Sequence, residues 1–181
     1  MPSLPEVSED VRRRIHAVRA LVLDVDGVLT DGRIIYDEFG DELKHFDVQD
    51  GAGLMLWHRE GLKTASITSR TSKLVARRAK ELHVDCLIQN AADKRKAFEA
   101  VLRRLRLKPE ETCAIGDDLM ELPILRRAGL AVAVANAVAE VKAACHYVTQ
   151  HAGGRGAVRE TIELILTVQE RWAPIVSRYS S

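Results

Sequence analysis

Short apolar runs alternate along the chain with longer stretches in which apolar residues recur every three or four positions. Runs of the first kind predict strands over Leu21–Val25, Lys63–Ile67, Asp85–Ile88, Thr112–Ile115, Leu130–Val134 and His146–Val148. Stretches of the second kind predict helices over Gly51–Glu60, Ser72–Leu82, Lys94–Leu105, Met120–Arg127, Ala137–Ala144 and Gly156–Glu170, and Ser8 stands where it would cap a short helix before the first strand. Regular alternation of strand and helix favours an α/β fold, here a Rossmann-like parallel sheet flanked by helices. The last helix carries a one-sided stripe of Val158, Ile162, Ile165 and Val168, expected to pack on the sheet or on a neighbouring subunit. Beyond Trp172, with Pro174, the tail is expected to be poorly ordered on its own.

One segment interrupts the rhythm. Arg33–Tyr36 and Glu42–Phe46 read as two strands around Asp37-Glu38-Phe39-Gly40, which predicts a β-hairpin flap inserted directly after the first strand. A chain of 181 residues suits one domain, 1–181, with the hairpin at about 31–47 and a terminal helix and tail at about 156–181. The formal net charge of +1 gives no strong field toward nucleic acid or an anionic membrane. Accordingly, Arg103, Arg104, Arg106 and Lys108 read as a solvated face rather than a nucleic-acid site. Cys86, Cys113 and Cys145 are scattered and form no C-x-x-C pair, and no apolar stretch is long enough to span a bilayer. With no signal-peptide pattern at the N-terminus, the expected location is the cytoplasm.

Chemistry gathers at the predicted strand ends, where parallel α/β sheets place their ligands. The first strand runs into Asp24-Val25-Asp26-Gly27-Val28-Leu29-Thr30. A calcium loop beginning at Asp24 would need an oxygen ligand at Val28, glycine at Leu29 and glutamate at Ile35, so that reading fails; a simple turn stays open. The second strand ends in Thr68-Ser69-Arg70, hydroxyls ahead of a helix that suit either phosphate binding or helix capping. After the third strand Asp93-Lys94 opens a helix, and a lysine there opposes the helix dipole unless an anion is near. The fourth ends in Gly116-Asp117-Asp118 with Glu121 close behind, three acids that suit a magnesium site, with Asp118 alternatively a cap. Taken in order, these ends supply a carboxylate pair, a hydroxyl, a lysine and acidic metal ligands, the set that phosphoryl transfer needs.

With these motifs the sequence resembles the haloacid dehalogenase superfamily of phosphatases. The resemblance implies Asp24 as nucleophile, forming an aspartyl-phosphate, and Asp26 as acid/base. It implies Thr68 and Lys94 as phosphoryl ligands, and Mg2+ held by Asp24, the Asp26 backbone carbonyl and Asp117. A narrower resemblance runs from Leu21 to Leu166, through D-V-D-G-V-L-T-D-G, H-F-D-V-Q-D-G-A-G, I-T-S-R-T-S-K, G-D-D-L-M-E-L-P and A-G-G-R-G-A-V-R-E. It is to the phosphatases of 3-deoxy-D-manno-octulosonate 8-phosphate, a group that includes phosphatases of nine-carbon sialic-type acid 9-phosphates. The sequence departs from the pattern at Ser69, Gln89-Asn90 and Glu121, near the rim of the expected site.

Chain length adds a further expectation. The insertion after the first motif holds little beyond the hairpin and one helix, and a single helix and strand separate Thr68 from Lys94, so no cap domain fits. An active site of this kind usually needs a cover, and neighbouring subunits are expected to supply it. The resemblance implies a homotetramer with active sites shared between subunits. Gly153-Gly154-Arg155-Gly156 is the segment expected to reach a neighbour's site, with Arg155 on a substrate carboxylate. Ser69, Arg70, Lys73, Asp47 and Asp50 complete the expected substrate contacts. Three rivals compete with a phosphatase. A silent oligomerisation domain would have lost Asp24, Asp26 or Asp117, and a phosphomutase would need a cap. A dinucleotide site at Gly51-Ala52-Gly53 would need glycine where Leu56 stands.

Overall fold

The computed structural model describes residues 7–180. In chain order the strands are β1 (Ala20–Leu23), the hairpin strands β2 (Ile35–Tyr36) and β3 (Glu42–Leu43), β4 (Lys63–Ile67), β5 (Cys86–Ile88), β6 (Thr112–Gly116), β7 (Leu130–Ala133) and β8 (Tyr147–Val148). The helices are α1 (Glu9–Ala17), α2 (Val48–Arg59), α3 (Lys73–Glu81), α4 (Lys94–Leu105), α5 (Leu122–Leu125), α6 (Ala139–Ala144), α7 (Ala157–Val168) and α8 (Trp172–Arg178). Outside the hairpin, all strands pair in parallel in the order β5-β4-β1-β6-β7-β8. Strand order reverses between β1 and β6, the place where open α/β sheets leave a crevice at their carboxyl ends. Every residue of β1, Ala-Leu-Val-Leu, is buried, as a central strand covered on both faces requires. Ser8 caps α1 by accepting from the Val11 N–H at 3.3 Å, as expected.

Departures from the sequence expectations have local causes. β1 stops at Leu23 because the Val25 carbonyl accepts from the Val28, Leu29 and Thr30 N–H groups, which turns the chain into a tight loop. The helix expected over Met120–Arg127 is split into a 3-10 turn, Leu119–Glu121, and α5, since Pro123 lacks an N–H. The hairpin pairs only Ile35 with Leu43 and Tyr36 with Glu42. Its tip is held by Asp37, whose carboxylate accepts from the Phe39 and Asp41 N–H groups at 2.9 Å.

The tail is not poorly ordered: α8 forms, with Pro174 in the first turn where no N–H is missed. Ile175 is buried, the Arg159 guanidinium lies 5.1 Å from the Trp172 ring, and Arg178 pairs with Glu60 at 2.6 Å. The α7 stripe is fully used within the chain, with Val158, Ile162 and Ile165 at 0% exposure and α2 as its main neighbour. Gly53 serves that packing, since a Cβ there would meet Ile162 at 3.2 Å, whereas Gly51 faces Arg78 and Leu82. Among the described residues there is no separate cap domain, and no helix is long and apolar enough to cross a membrane.

Candidate active site

Asp24 follows β1 and Asp117 follows β6, so the two flank the reversal point of the sheet. Gly27 brings them together. Its φ of +102° suits only glycine, and a Cβ there would lie 2.0 Å from Asp117 Oδ2, so the carboxylate occupies the space a side chain would fill. From the first turn of α4, Lys94 extends its Nζ to Asp24 Oδ1 at 2.5 Å and to Glu121 Oε1. Oxygens of Asp24, Asp117 and Glu121 all lie within 4.8 Å of one another. Three carboxylates against one ammonium leave two negative charges uncompensated if all are ionised. A compact set of hard oxygen donors with excess negative charge is the chemistry that fits a hard divalent cation.

Burial sets the electrostatics. Asp24 is 8% exposed, and desolvation raises its pKa to about 6, with Lys94 opposing and Glu121 adding to the rise. Asp117 is raised to about 7 by burial and then by Asp24, Glu121 and Asp118. For Lys94 burial alone would lower the pKa, but Asp24 and Glu121 outweigh it and hold it above the usual lysine value. Of the three acids the sequence offered after β6, the structure draws in Asp117 and Glu121. Asp118 instead caps the following turn, accepting from the Leu119 N–H at 2.6 Å.

The Asp26 side chain lies outside the carboxylate trio. Its Oδ2 accepts from the Thr68 hydroxyl at 3.4 Å, and Thr68, at the end of β4, is buried. Its Oδ1 meets Lys44 Nζ at 2.5 Å, and Lys44 also contacts Glu42 at 3.2 Å. Arg70 Nη2 donates to the same Glu42 oxygen at 2.7 Å, while its Nε is buried with no partner among the described residues. Lys44 carried no assigned role in the sequence. For Lys44 the available signal was the strand period, which puts Glu42 and Lys44 on one face of the hairpin.

Other expected contacts are placed elsewhere. Asp47 is the cap of α2, accepting from the Gln49 N–H at 2.6 Å and the Asp50 N–H at 3.2 Å. Asp50 is buried and caps α7 from outside that helix, accepting from the Arg159 N–H at 2.8 Å and the Gly156 N–H at 3.4 Å. A sugar hydroxyl cannot reach a carboxylate so enclosed, and the expectation of a substrate contact at Asp50 is corrected. Ser69 donates to the Ala91 carbonyl at 3.2 Å, and Lys73 is exposed at the start of α3.

The glycines near Arg155 serve the chain's own fold rather than a ligand's approach. A Cβ on Gly153 would lie 1.6 Å from the Gly27 carbonyl oxygen, and one on Gly154 would lie 2.4 Å from the Asp31 nitrogen. The loop is thereby pressed onto the Asp24–Thr30 loop, leaving the Arg155 side chain 67% exposed and 3.9 Å from Asp31.

Comparison with known proteins agrees with this geometry. Residues 60–162 match the family model of haloacid dehalogenase-like hydrolases. The chain is 42% identical over 165 residues to the 3-deoxy-D-manno-octulosonate 8-phosphate phosphatase of Yersinia pestis, covering 91% of this chain and 88% of that protein. The crystal structure of the Yersinia pestis phosphatase superposes with a TM-score of 0.91 at 41% identity, covering 94% of this chain and 92% of that one. The Moraxella catarrhalis phosphatase, solved in complex with magnesium, phosphate and a KDO molecule, superposes with a TM-score of 0.91 at 38% identity, covering 94% and 98% of the two chains. Carboxylates gathered at the sheet's reversal point and likeness along nine-tenths of the sequence lead to one conclusion: the chain belongs to the haloacid dehalogenase-like hydrolases, among the 3-deoxy-D-manno-octulosonate 8-phosphate phosphatases.

Proposed function

We propose that the chain hydrolyses 3-deoxy-D-manno-octulosonate 8-phosphate to the free sugar acid and phosphate, through an aspartyl-phosphate on Asp24. The observation that carries this reading is the seat of Asp24, with Lys94 on one oxygen, Asp117 and Glu121 beside it, and Asp26 on the same loop. In the first half-reaction a bond forms between the Asp24 carboxylate and phosphorus as the bond to the sugar oxygen breaks. Asp26 donates its proton to the departing alkoxide. In the second half, Asp26 takes a proton from water as the water oxygen bonds to phosphorus, releasing phosphate and the Asp24 carboxylate. Thr68 and Lys94 hold the phosphoryl oxygens while charge shifts between them.

Asp24, Asp117 and Glu121, with the Asp26 backbone carbonyl, would hold Mg2+. Such a cation supplies positive charge against the repulsion between carboxylate and phosphate. The magnesium and phosphate in the Moraxella catarrhalis complex support this choice. Arg70, with an unpartnered buried N–H, suits the sugar carboxylate, and Ser69 and Lys73 flank it in sequence.

The same reading makes residues 1–181 one catalytic domain, working in the cytoplasm as a homotetramer with shared active sites. Exposed Ile34, Tyr36, Phe39 and Leu43 on the hairpin support association, since a short two-stranded ribbon with apolar faces is poorly stable in water. Arg155, exposed at the end of its loop, is the side chain offered to a neighbour.

Phosphate release tests the proposal, measured with and without magnesium, from the eight-carbon 8-phosphate and from a nine-carbon sialic-type acid 9-phosphate. The expected result is preference for the eight-carbon ester, dependence on magnesium, and loss of about 10³-fold or more in Asp24→Asn. Preference for the nine-carbon ester would move the substrate and leave the mechanism. Turnover surviving in Asp24→Asn would refute the nucleophile.

A further inference from the structure

Among the charged groups near Asp24, Lys44 has no part in the steps above. Its side chain is 2% exposed although it comes from a hairpin of only two paired residues per strand. Desolvating an ammonium is costly unless partners compensate. Both partners are carboxylates: Asp26 Oδ1 at 2.5 Å and Glu42 Oε1 at 3.2 Å. Lys44 therefore joins the hairpin to the carboxylate proposed as acid/base.

We infer that Lys44 is a positioning residue for Asp26, so that the aim of the acid/base depends on the hairpin being docked. This rests on the reading of Asp26 as the acid/base. Two elements grip its carboxyl group, Lys44 on Oδ1 from the hairpin and Thr68 on Oδ2 from the end of β4. With Oδ1 held by a cation, Oδ2 is the oxygen to carry the proton, since the Thr68 hydroxyl beside it at 3.4 Å can accept as well as donate. It lies on the Thr68 side, where the phosphoryl group is to be held. That oxygen gives its proton to the leaving alkoxide and later takes one from the attacking water; Lys44 itself gains and loses none. Glu42 extends the link to Arg70 at 2.7 Å, so one run of charges, Asp26–Lys44–Glu42–Arg70, ties the first motif, the hairpin and the β4 end together.

The test compares leaving groups. A sugar alkoxide needs a proton to depart, whereas 4-nitrophenolate leaves without one. Lys44→Met keeps the apolar stem and removes the ammonium; Lys44→Arg restores a cation. The kcat and KM of both variants, of Asp26→Asn and of the Lys44→Met/Asp26→Asn double variant are measured on the eight-carbon sugar 8-phosphate and on 4-nitrophenyl phosphate, with thermal unfolding recorded for each. For Lys44→Met, kcat/KM on the sugar phosphate, which reads the steps up to the aspartyl-phosphate and not the water step common to both esters, should fall about 10²-fold, the order expected when a reacting group is misplaced by about 1 Å. Its fall on the aryl ester should be at least about tenfold smaller, KM should change by less than about threefold, and Lys44→Arg should regain part of the loss. In the Asp26→Asn background the Lys44→Met change should cost less than about threefold more.

If Asp26→Asn does not separate the kcat/KM values of the two esters, the reading of Asp26 as the acid fails. If Asp26→Asn separates them and Lys44→Met lowers both esters equally, or acts by raising KM, the positioning role is overturned and Lys44 is a hairpin anchor or a substrate contact. Should Lys44→Met fail to fold, Lys44→Arg decides in its place: a partial loss confined to the sugar phosphate supports the inference, and an equal loss on both esters overturns it.

Discussion

Gly27→Ala isolates the close approach on which the carboxylate cluster depends. Two costs follow from the structure. At φ +102° an L residue is strained, which costs about 1–2 kcal/mol. The added methyl would also stand 2.0 Å from Asp117 Oδ2 and 2.5 Å from its Cγ, where ordinary contact begins near 3.4 Å, so the Asp117 carboxylate must withdraw. A withdrawal on the order of 1 Å takes it away from Asp24 and Glu121 and should lower kcat/KM by about 10²-fold. Half-saturation by magnesium should rise about 10–100-fold, as when groups that orient a metal ligand are lost. Stability should fall less, since 1–2 kcal/mol in a chain of this size corresponds to a Tm lower by about 2–8 °C. Magnesium titrations of phosphate release, paired with calorimetry, measure both effects. A folded Gly27→Ala variant with an unchanged magnesium titration and unchanged kcat/KM would refute the claim that this glycine makes room for Asp117.

Three further outcomes concern groups that take no part in the bond changes. Burial raises the Asp50 pKa to about 6, above its ordinary 3.8, so the folded state favours the neutral acid; the stability this contributes is present below about pH 4 and is lost as pH rises through 6. Asp50→Asn keeps an acceptor for the α7 N–H groups and cannot ionise, so urea unfolding should show a decline between pH 4 and 6 smaller by up to about 3 kcal/mol. An unchanged pH slope would mean that Asp50 is not buried as described. For the proposed tetramer, Ile34→Ser combined with Phe39→Ser should shift sedimentation toward monomer, and Arg155→Ala should lower kcat/KM if that side chain serves a neighbour's site. Unchanged sedimentation would exclude the hairpin as the contact, and unchanged kinetics would free Arg155 of any such role.

Much of the fold was readable from local pattern. Lys63–Ile67 and Lys94–Leu105 form where their periodicity placed them, because a buried strand and a one-sided helix each leave a mark on neighbouring positions. The ends were less readable where hydrogen bonding rather than hydrophobicity decides them, as at Val25 and at the hairpin strands. Helix α8 escaped the sequence reading because its short pattern is weak. What orders it is the burial of its own Ile175 and the contacts that Glu60 and Arg159 make from other elements.

For the site, the sequence by itself determined which strand ends carry candidate chemistry: Asp24 and Asp26, Thr68, Lys94, and Asp117 each stand at or shortly after the end of an apolar run. Local order sufficed there because parallel strands deliver their carboxyl ends to one edge of the sheet. Only the tertiary structure decided which of several equal acids and bases meet. It chose Glu121 over Asp118, turned Asp47 and Asp50 into helix caps, pressed the glycines near Arg155 onto the first loop, and brought Lys44 from the hairpin to Asp26. These choices depend on burial and on distances between residues far apart in the chain. A carboxylate or an ammonium looks the same in sequence whether it faces water or is held, desolvated, against its partner.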